Sequence, residues 1–273
     1  MHHTARFTVR YGEELRFAGG DLPAPVTERL PTRYGTVRVH RYAGRDDVPG
    51  TYVHLHGGAF LMRYPRMDDF WCRYVVATTG VEVVNVDFRA GPYARYPVAQ
   101  HESHDAAAQL AADGPVAVGG FSSGGGLAAA VCLQARDTGS FTPVLQVLGV
   151  PALDLARGVD PGASGMISPA LRGLVRRVYF PDPATRTEPY ASPLLADDVT
   201  GLPPAVVLTA ERDSLRPDGE AYADRLEAAG TEVVRDCTPG ADHYFLSHDL
   251  RRARGTMALT AREIERRLVA AGG

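Results

Sequence analysis

Cysteine is scarce in this sequence, and long hydrophobic runs are absent. The three cysteines, Cys72, Cys132 and Cys237, are far apart and odd in number, which excludes a disulfide framework and zinc-ribbon spacing. No apolar run approaches the length of a membrane span, and the N-terminal MHHTARFTVRYGEE carries charge where a signal peptide needs an apolar core. A formal net charge of −3 excludes a globally basic nucleic-acid binder. We therefore expect a soluble, cytoplasmic protein without a nucleic-acid or membrane partner.

Short apolar runs alternate with amphipathic stretches along the 273 residues. The runs predict strands at 35–43, 51–56, 81–88, 115–120, 144–150, 204–210 and 231–237. Helical patterns lie between them, near 67–79, 99–112, 123–137, 216–229 and 248–270. This alternation predicts one α/β domain over 1–273, with a mostly parallel sheet flanked by helices. Because no helix separates 35–43 from 51–56, the sheet is expected to begin with antiparallel pairing.

Two irregular segments interrupt this pattern. Residues 152–203 are rich in proline and glycine and contain no strong strand, and about 1–32 is similarly irregular. Long irregular segments in compact domains are often functional lids. Both segments are therefore predicted to be elements of a small cap.

A serine lies at a strand-to-helix junction. Gly120-Phe121-Ser122-Ser123-Gly124 fits G-x-S-x-G, the turn that exposes a nucleophilic serine at the end of a strand. The alternatives are an ordinary glycine-rich connection and a phosphate-binding loop. No lysine follows as in a P-loop, and G-x-G-x-x-G is absent here.

A serine nucleophile needs a histidine base and an orienting carboxylate. After a serine turn of this type, the carboxylate comes next along the chain and the histidine follows it. Asp213 follows the predicted strand 204–210, with Glu211 and Asp218 as competitors for the acid. His243 lies on the loop after the next strand. Its competitor His248 is expected in the first turn of the last helix.

The segment HLHGGAF, 54–60, follows an early predicted strand and offers backbone N–H groups to an oxyanion, together with the N–H of Ser123. His54 and His56 form H-x-H, but no third metal ligand of suitable spacing is evident. We expect His56, with Gly57, to support this loop. His101 and His104 could form a metal pair, but a solvated helix start is the favoured interpretation.

Together these segments resemble the hormone-sensitive-lipase-like esterases of the α/β-hydrolase superfamily. The resemblance runs from about residue 50 to the C-terminus. It rests on six stretches, namely His56 to Phe60, Asp87-Phe88-Arg89 with Pro92 and Tyr96-Pro97, Gly120 to Gly125, Tyr190 to Pro193, Asp213 to Arg216, and Gly240 to Phe245.

The resemblance implies an α/β-hydrolase fold and the roles of individual residues. Ser122 would be the nucleophile, Asp213 the acid and His243 the base, and the backbone N–H groups of Gly58, Ala59 and Ser123 would hold the oxyanion. Several positions depart from the family pattern, among them Gly91 and Tyr93, where Ala and Glu are usual, and two departures lie at the site itself. Ala59 replaces the third glycine of the oxyanion loop, and Phe121 replaces the Asp or Thr usual before the serine.

The expected function is hydrolysis of short to medium acyl esters through an acyl-enzyme, with no metal or organic cofactor. Phe60, Leu61, Phe121 and Tyr244 are predicted to line the substrate pocket. The alternatives are an amidase, formamidase or acyl transferase on the same residues, and a non-catalytic protein that binds a small molecule. A homodimer is a candidate assembly.

Overall fold

The structure, a computed structural model, describes residues 11–158 and 165–273. In this part of the chain eight strands form one sheet in the order β1-β2-β4-β3-β5-β6-β7-β8. Strands β1 and β2 form an antiparallel hairpin, β2 pairs antiparallel with β4, and all other neighbours are parallel. The strands are β1 Val26–Thr32, β2 Gly35–Tyr42, β3 Thr51–Leu55, β4 Glu82–Asp87, β5 Val116–Phe121, β6 Leu145–Gly149, β7 Ala205–Ala210 and β8 Val233–Thr238.

Helices cover both faces of this sheet. They are α1 Asp69–Thr79, α2 Val98–Leu110, α3 Ser123–Thr138, α4 Pro169–Val178, α5 Arg216–Ala228 and α6 Leu250–Gly272. Short 3₁₀ turns lie at Glu13–Leu15, Pro65–Asp68, Ala184–Thr187, Pro193–Leu195 and Phe245–Ser247. Helices α2, α3 and α5 contribute to one apolar core, and α1 and α6 contribute to the other. Because both faces are covered, central strands such as β5 are buried at every position.

The order of the strands decides where a ligand site can form. Strand β3 lies between β4 and β5, so the chain reverses its direction of travel across the sheet at this point. In open parallel sheets, ligands bind at the carboxyl ends of the strands beside such a reversal. The HGGA segment, His56 to Ala59, follows β3 and Ser122 follows β5, so both lie at this position.

The structure corrects three expectations. Residues 26–32, assigned to a cap, form the edge strand β1. Its side chains are exposed or half-buried, so the segment lacks a strong apolar signal. Within 152–203, α4 is helical, because Ser168 caps its first turn by accepting from the Leu171 N–H. His248 is exposed and precedes α6 rather than lying in its first turn.

The predicted solvated start of α2 is also wrong. Glu102 and His104 are buried, Glu102 beneath Arg89 and His104 within 2.9 Å of Ser140 Oγ. They face the neighbouring elements because α2 packs on both the sheet and α3.

Among the described residues, no helix combines the length and the apolar character that crossing a bilayer requires.

Candidate active site

Ser122 occupies a sharp turn between β5 and α3. Its backbone has φ 58° and ψ −119°, a conformation that non-glycine residues rarely adopt. The turn is held by three backbone hydrogen bonds. The Ser122 N–H donates to Gly149 O at 2.8 Å, and Ser122 O accepts from Gly126 and Ala152, each at 3.1 Å. This geometry places Ser122 at the N-terminus of α3, where the helix dipole favours negative charge.

The two glycines of G-x-S-x-G permit a close crossing of the turn over β3. A Cβ on Gly120 would lie 2.2 Å from Leu55 O, and one on Gly124 would lie 1.8 Å from the same oxygen. Both distances are far below van der Waals contact. Glycine is therefore required at both positions, and the serine turn is packed directly on the strand that carries the HGGA segment.

Ser122, His243 and Asp213 form a chain of hydrogen bonds. Ser122 Oγ lies 2.9 Å from His243 Nε2, and His243 Nδ1 lies 2.8 Å from Asp213 Oδ2. Asp213 is buried, and its Oδ1 also accepts from the Leu215 N–H at 3.0 Å. The carboxylate thus fixes Nδ1 as the protonated nitrogen, which leaves the lone pair of Nε2 for the serine hydroxyl.

The loop that carries His243 is anchored on both sides. The Arg212 N–H donates to Ala241 O at 2.8 Å, which joins this loop to the turn that carries Asp213. Asp242 accepts from the His243 N–H at 2.7 Å and from the Met166 N–H at 2.9 Å. Asp242 therefore connects the histidine loop to the segment that precedes α4.

The HGGA loop presents backbone N–H groups beside Ser122. Gly58 has φ 125° and Ala59 φ 56°, and the Gly58 carbonyl accepts from Leu61 and Met62, each at 2.9 Å. A Cβ on Gly58 would lie 2.5 Å from Met62 O, so this tight loop needs glycine there. Within the described chain, no group accepts from the N–H of Gly58, Ala59 or Ser123. These donors are available to an anionic oxygen near Ser122.

Two buried side chains hold this loop from behind. Asp68 Oδ2 accepts from the Gly57 N–H at 3.2 Å and from His54 Nε2 at 3.0 Å. His56 stacks on Phe88 with ring centroids 4.3 Å apart, and its Nδ1 donates to Gly57 O at 2.6 Å. Burial lowers the pKa of His56, so its imidazole is neutral with the proton on Nδ1.

A pocket with two arms opens on Ser122. The smaller arm, about 490 Å³ including its open mouth, lies beneath α4; the larger, about 840 Å³, lies beside His243. Ala59, Ser122, Ile167 and Leu171 line both arms. The predicted pocket residues divide between them. Phe60 lines the smaller arm, and Leu61, Phe121 and Tyr244 line the larger.

The competing candidates lie outside this arrangement. Glu211 is exposed and accepts from the Gly240 N–H, and Asp218 is buried in the first turn of α5. His54 is occupied by Asp68, and His104 contacts Arg33, Asp105 and Ser140. Within residues 11–158 and 165–273, no three His, Cys, Asp or Glu side chains form a group that could hold a metal ion.

Sequence reasoning missed Asp68, Asp242 and the arginines of α4. Asp68 follows no recognisable motif, and only the fold brings it to Gly57. Asp242 adjoins His243, but its contact with Met166 joins segments 76 residues apart. Arg172 and Arg176 belong to the segment that was expected to be irregular, whereas both lie on α4 and line the smaller arm. A helical pattern over 169–178 would have shown that they lie one turn apart.

A family model described as alpha/beta hydrolase fold matches residues 52–247. The carboxylic ester hydrolase LipN of Mycobacterium tuberculosis is 32% identical, over 83% of this chain and 63% of LipN. The chain belongs to the α/β-hydrolase family. It spans less than two thirds of the length of LipN.

In two further comparisons, the match covers a larger share of the other protein. The ethyl acetate hydrolase of Pseudomonas putida is 34% identical, with 80% of this chain and 74% of that protein covered. An esterase structure from Pyrobaculum calidifontis has a TM-score of 0.82 at 32% identity, over 91% of this chain and 87% of that one. The family and the fold class predicted from the sequence are confirmed, and the chain is a member of the hormone-sensitive-lipase-like α/β-hydrolases.

Proposed function

We propose that Ser122, His243 and Asp213 hydrolyse carboxylic esters through an acyl-enzyme intermediate. The observation that carries this proposal is the hydrogen-bonded chain of these three side chains at the junction of a two-armed pocket. Ser122 Oγ attacks the ester carbonyl carbon while His243 Nε2 accepts the hydroxyl proton. Asp213 stabilises the imidazolium that forms, without taking its proton.

The tetrahedral intermediate then collapses. The negative charge on the former carbonyl oxygen is stabilised by the N–H groups of Gly58, Ala59 and Ser123, and loss of one oxyanion donor typically costs about 3–4 kcal/mol in a serine hydrolase. The bond to the leaving oxygen breaks, and His243 returns its proton to that oxygen. A water molecule, deprotonated by the same histidine, attacks the acyl-enzyme and releases the carboxylic acid and free Ser122.

We infer that the substrates carry short to medium acyl groups. The smaller arm is bounded by the buried Phe60, whose ring packs on Tyr179 and Phe180 at 5.2 Å each. Helix α4 and its flanking turns serve as a cap, with Leu171 and Val175 facing the pocket. Near the mouth, the large exposed apolar side chains of the described chain are Met166 and Tyr244. Such a rim offers little flat apolar surface for an oil interface.

The alternative reactions are less well supported. An amidase, formamidase or acyl transferase could use the same three side chains, but the relatives reported above are ester hydrolases. A non-catalytic binder would not need the short contacts of His243 with both Ser122 and Asp213. The predicted homodimer stays a prediction.

The test is a chain-length series of p-nitrophenyl esters from acetate to palmitate, each in soluble form. We expect kcat/KM to be highest for a short or medium acyl group and to fall for long chains, because Phe60 and α4 bound the smaller arm. A maximum at the dodecanoate or beyond, with activation at an emulsion surface, would overturn the inferred acyl range. Matching rates for the p-nitroanilides would favour an amidase.

A further inference from the structure

The position of His243 shows which arm of the pocket holds the acyl portion of the ester and which holds the alcohol portion, an assignment that rests on the proposed function. His243 lines the larger arm and is not part of the wall of the smaller one. Because His243 returns its proton to the leaving oxygen, the alcohol portion of the ester must lie on the histidine side. The acyl portion then occupies the smaller arm, which passes between Phe60 and α4.

Positive charge is concentrated in the wall of this acyl arm. Arg172 and Arg176 both line it and lie one turn apart on α4. Like charges at this spacing repel each other and destabilise a helix. In agreement, burial lowers the pKa of Arg176, and the neighbouring positive charge of Arg172 lowers it further.

The Arg176 guanidinium is engaged by the backbone. Its Nε donates to Leu155 O at 3.0 Å, and its Nη2 donates to Arg157 O. These contacts hold the segment after β6 against α4. Arg176 is thus a structural part of the wall, and its donors are directed at carbonyl oxygens.

Two carboxylates lie near these arginines, and each has a direct partner other than Arg172. Asp154 lines the arm, but its Oδ1 accepts from the N–H groups of Ala156 and Arg157 at 2.9 and 2.8 Å. Asp218 Oδ1 lies 3.1 Å from Arg157 Nη1 in an ion pair, and the positive charge of Arg172 also lowers the pKa of Asp218. The described cluster therefore contains the three cations Arg157, Arg172 and Arg176, and the two anions Asp154 and Asp218.

Arg172 supplies the positive charge that has no direct partner in this cluster. Its side chain is half-buried in the wall of the arm, and the guanidinium has no hydrogen-bond or ion-pair partner among the described residues. We propose that Arg172 binds a carboxylate at the far end of the acyl chain, so that the preferred substrates are half-esters of short dicarboxylic acids. A guanidinium and a carboxylate form the strongest class of protein hydrogen bond, and a half-buried site screens it less than water does.

The experiment compares pairs of ethyl esters that share acyl length and leaving group. Monoethyl succinate, glutarate and adipate are paired with ethyl butanoate, pentanoate and hexanoate, and released ethanol is measured at pH 7.5. The readout is the ratio of kcat/KM for the half-ester to that for its neutral partner. Because both substrates are measured on the same preparation, a partial loss of folded enzyme cancels in this ratio.

For the wild type we expect a ratio above one at one acyl length or more. Arg172→Met should lower that ratio about tenfold or more, since it removes a charge-assisted hydrogen bond while keeping an unbranched side chain. Arg177→Met is the matched control. Arg177 is exposed on the same helix and is not part of the wall, so its ratio should equal that of the wild type.

Two results would overturn the inference while leaving the proposed function intact. One is the same ratio in the wild type and in Arg172→Met. The other is a wild type that prefers the neutral ester at all three lengths. If the proposed function itself were wrong, the result would be distinguishable, because p-nitrophenyl acetate and every ethyl ester would remain uncleaved.

Discussion

Backbone strain in this protein is concentrated at single residues around the pocket. Four described residues other than glycine have a positive φ, namely Ala59, Phe60, Ser122 and Val150, and each of them lines the pocket. Such conformations cost on the order of 1–3 kcal/mol each and persist where the surroundings enforce them. Here they direct the Ser122 hydroxyl and the loop N–H groups into one space, which the rest of the fold stabilises.

Ala59 provides a test at this scale. It takes the place of a third glycine, with φ 56°, and its methyl group borders both arms. We expect Ala59→Gly to retain kcat within about threefold, because the N–H donor remains and the strain is relieved. Ala59→Val should lower kcat by about 10²-fold or more, since a β-branched residue disfavours positive φ and would displace one oxyanion donor.

Steady-state kinetics with p-nitrophenyl acetate measures both variants. The loss in Ala59→Val is expected mainly in kcat, because the donor acts on the transition state more than on the bound ester. Equal kcat in the valine and glycine variants would contradict a role for this loop in holding the oxyanion.

At the scale of elements, the site depends on how closely α3 and its preceding turn approach β3. Gly124 lies at the point of closest approach, because a Cβ at this position would clash with the backbone of Leu55. Gly255, within α6, is the opposite case, because a Cβ there has no neighbouring heavy atom within 4 Å.

We therefore expect Gly124→Ala to lower the free energy of unfolding by about 3 kcal/mol or more, through displacement of backbone atoms. Gly255→Ala should raise it by about 1 kcal/mol, because alanine is the better helix former. Urea unfolding followed by circular dichroism measures both values. A Gly124→Ala variant as stable as the wild type would show that this close approach is not required.

The elements that a sequence predicts well are those whose burial follows from local pattern. Strands β3 to β8 each contain a short apolar run, and each was predicted within about two residues. β1 was missed because it is an edge strand with little buried surface, and Pro31 interrupts its pattern. The site was predictable where chemistry imposes a motif, as at Ser122 and His243. Asp68 and Arg172 were not predictable, because their positions depend on how distant segments pack.

At the scale of the whole molecule, Asp218 couples stability to pH. It is 1% exposed, its Oδ2 has no hydrogen-bond partner within the described chain, and burial raises its pKa to about 6. Its ordinary value is near 4. The folded state therefore holds this proton more tightly than the unfolded state, and stability falls as the pH rises from about 4 to about 6.

Asp218→Asn should remove this contribution. Relative to wild type, the free energy of unfolding of the variant should increase by about 2–3 kcal/mol between pH 4 and pH 7. Urea unfolding at a series of pH values measures it, and Asp113→Asn, at an exposed position, is the control. Stability curves that run parallel in the wild type and Asp218→Asn would contradict a buried carboxyl group with a raised pKa.

The nucleophilic role of Ser122 is tested most directly by comparing two adjacent serines. Ser122→Ala and Ser123→Ala are assayed with p-nitrophenyl acetate, and acid-quenched wild type is examined by mass spectrometry for an acetylated peptide. We expect Ser122→Ala to lose on the order of 10⁶-fold in kcat. Ser123→Ala should lose severalfold at most, because its backbone N–H remains, and the acetyl group should be found on Ser122. Activity retained in Ser122→Ala, or an acetyl group on Ser123, would contradict this mechanism.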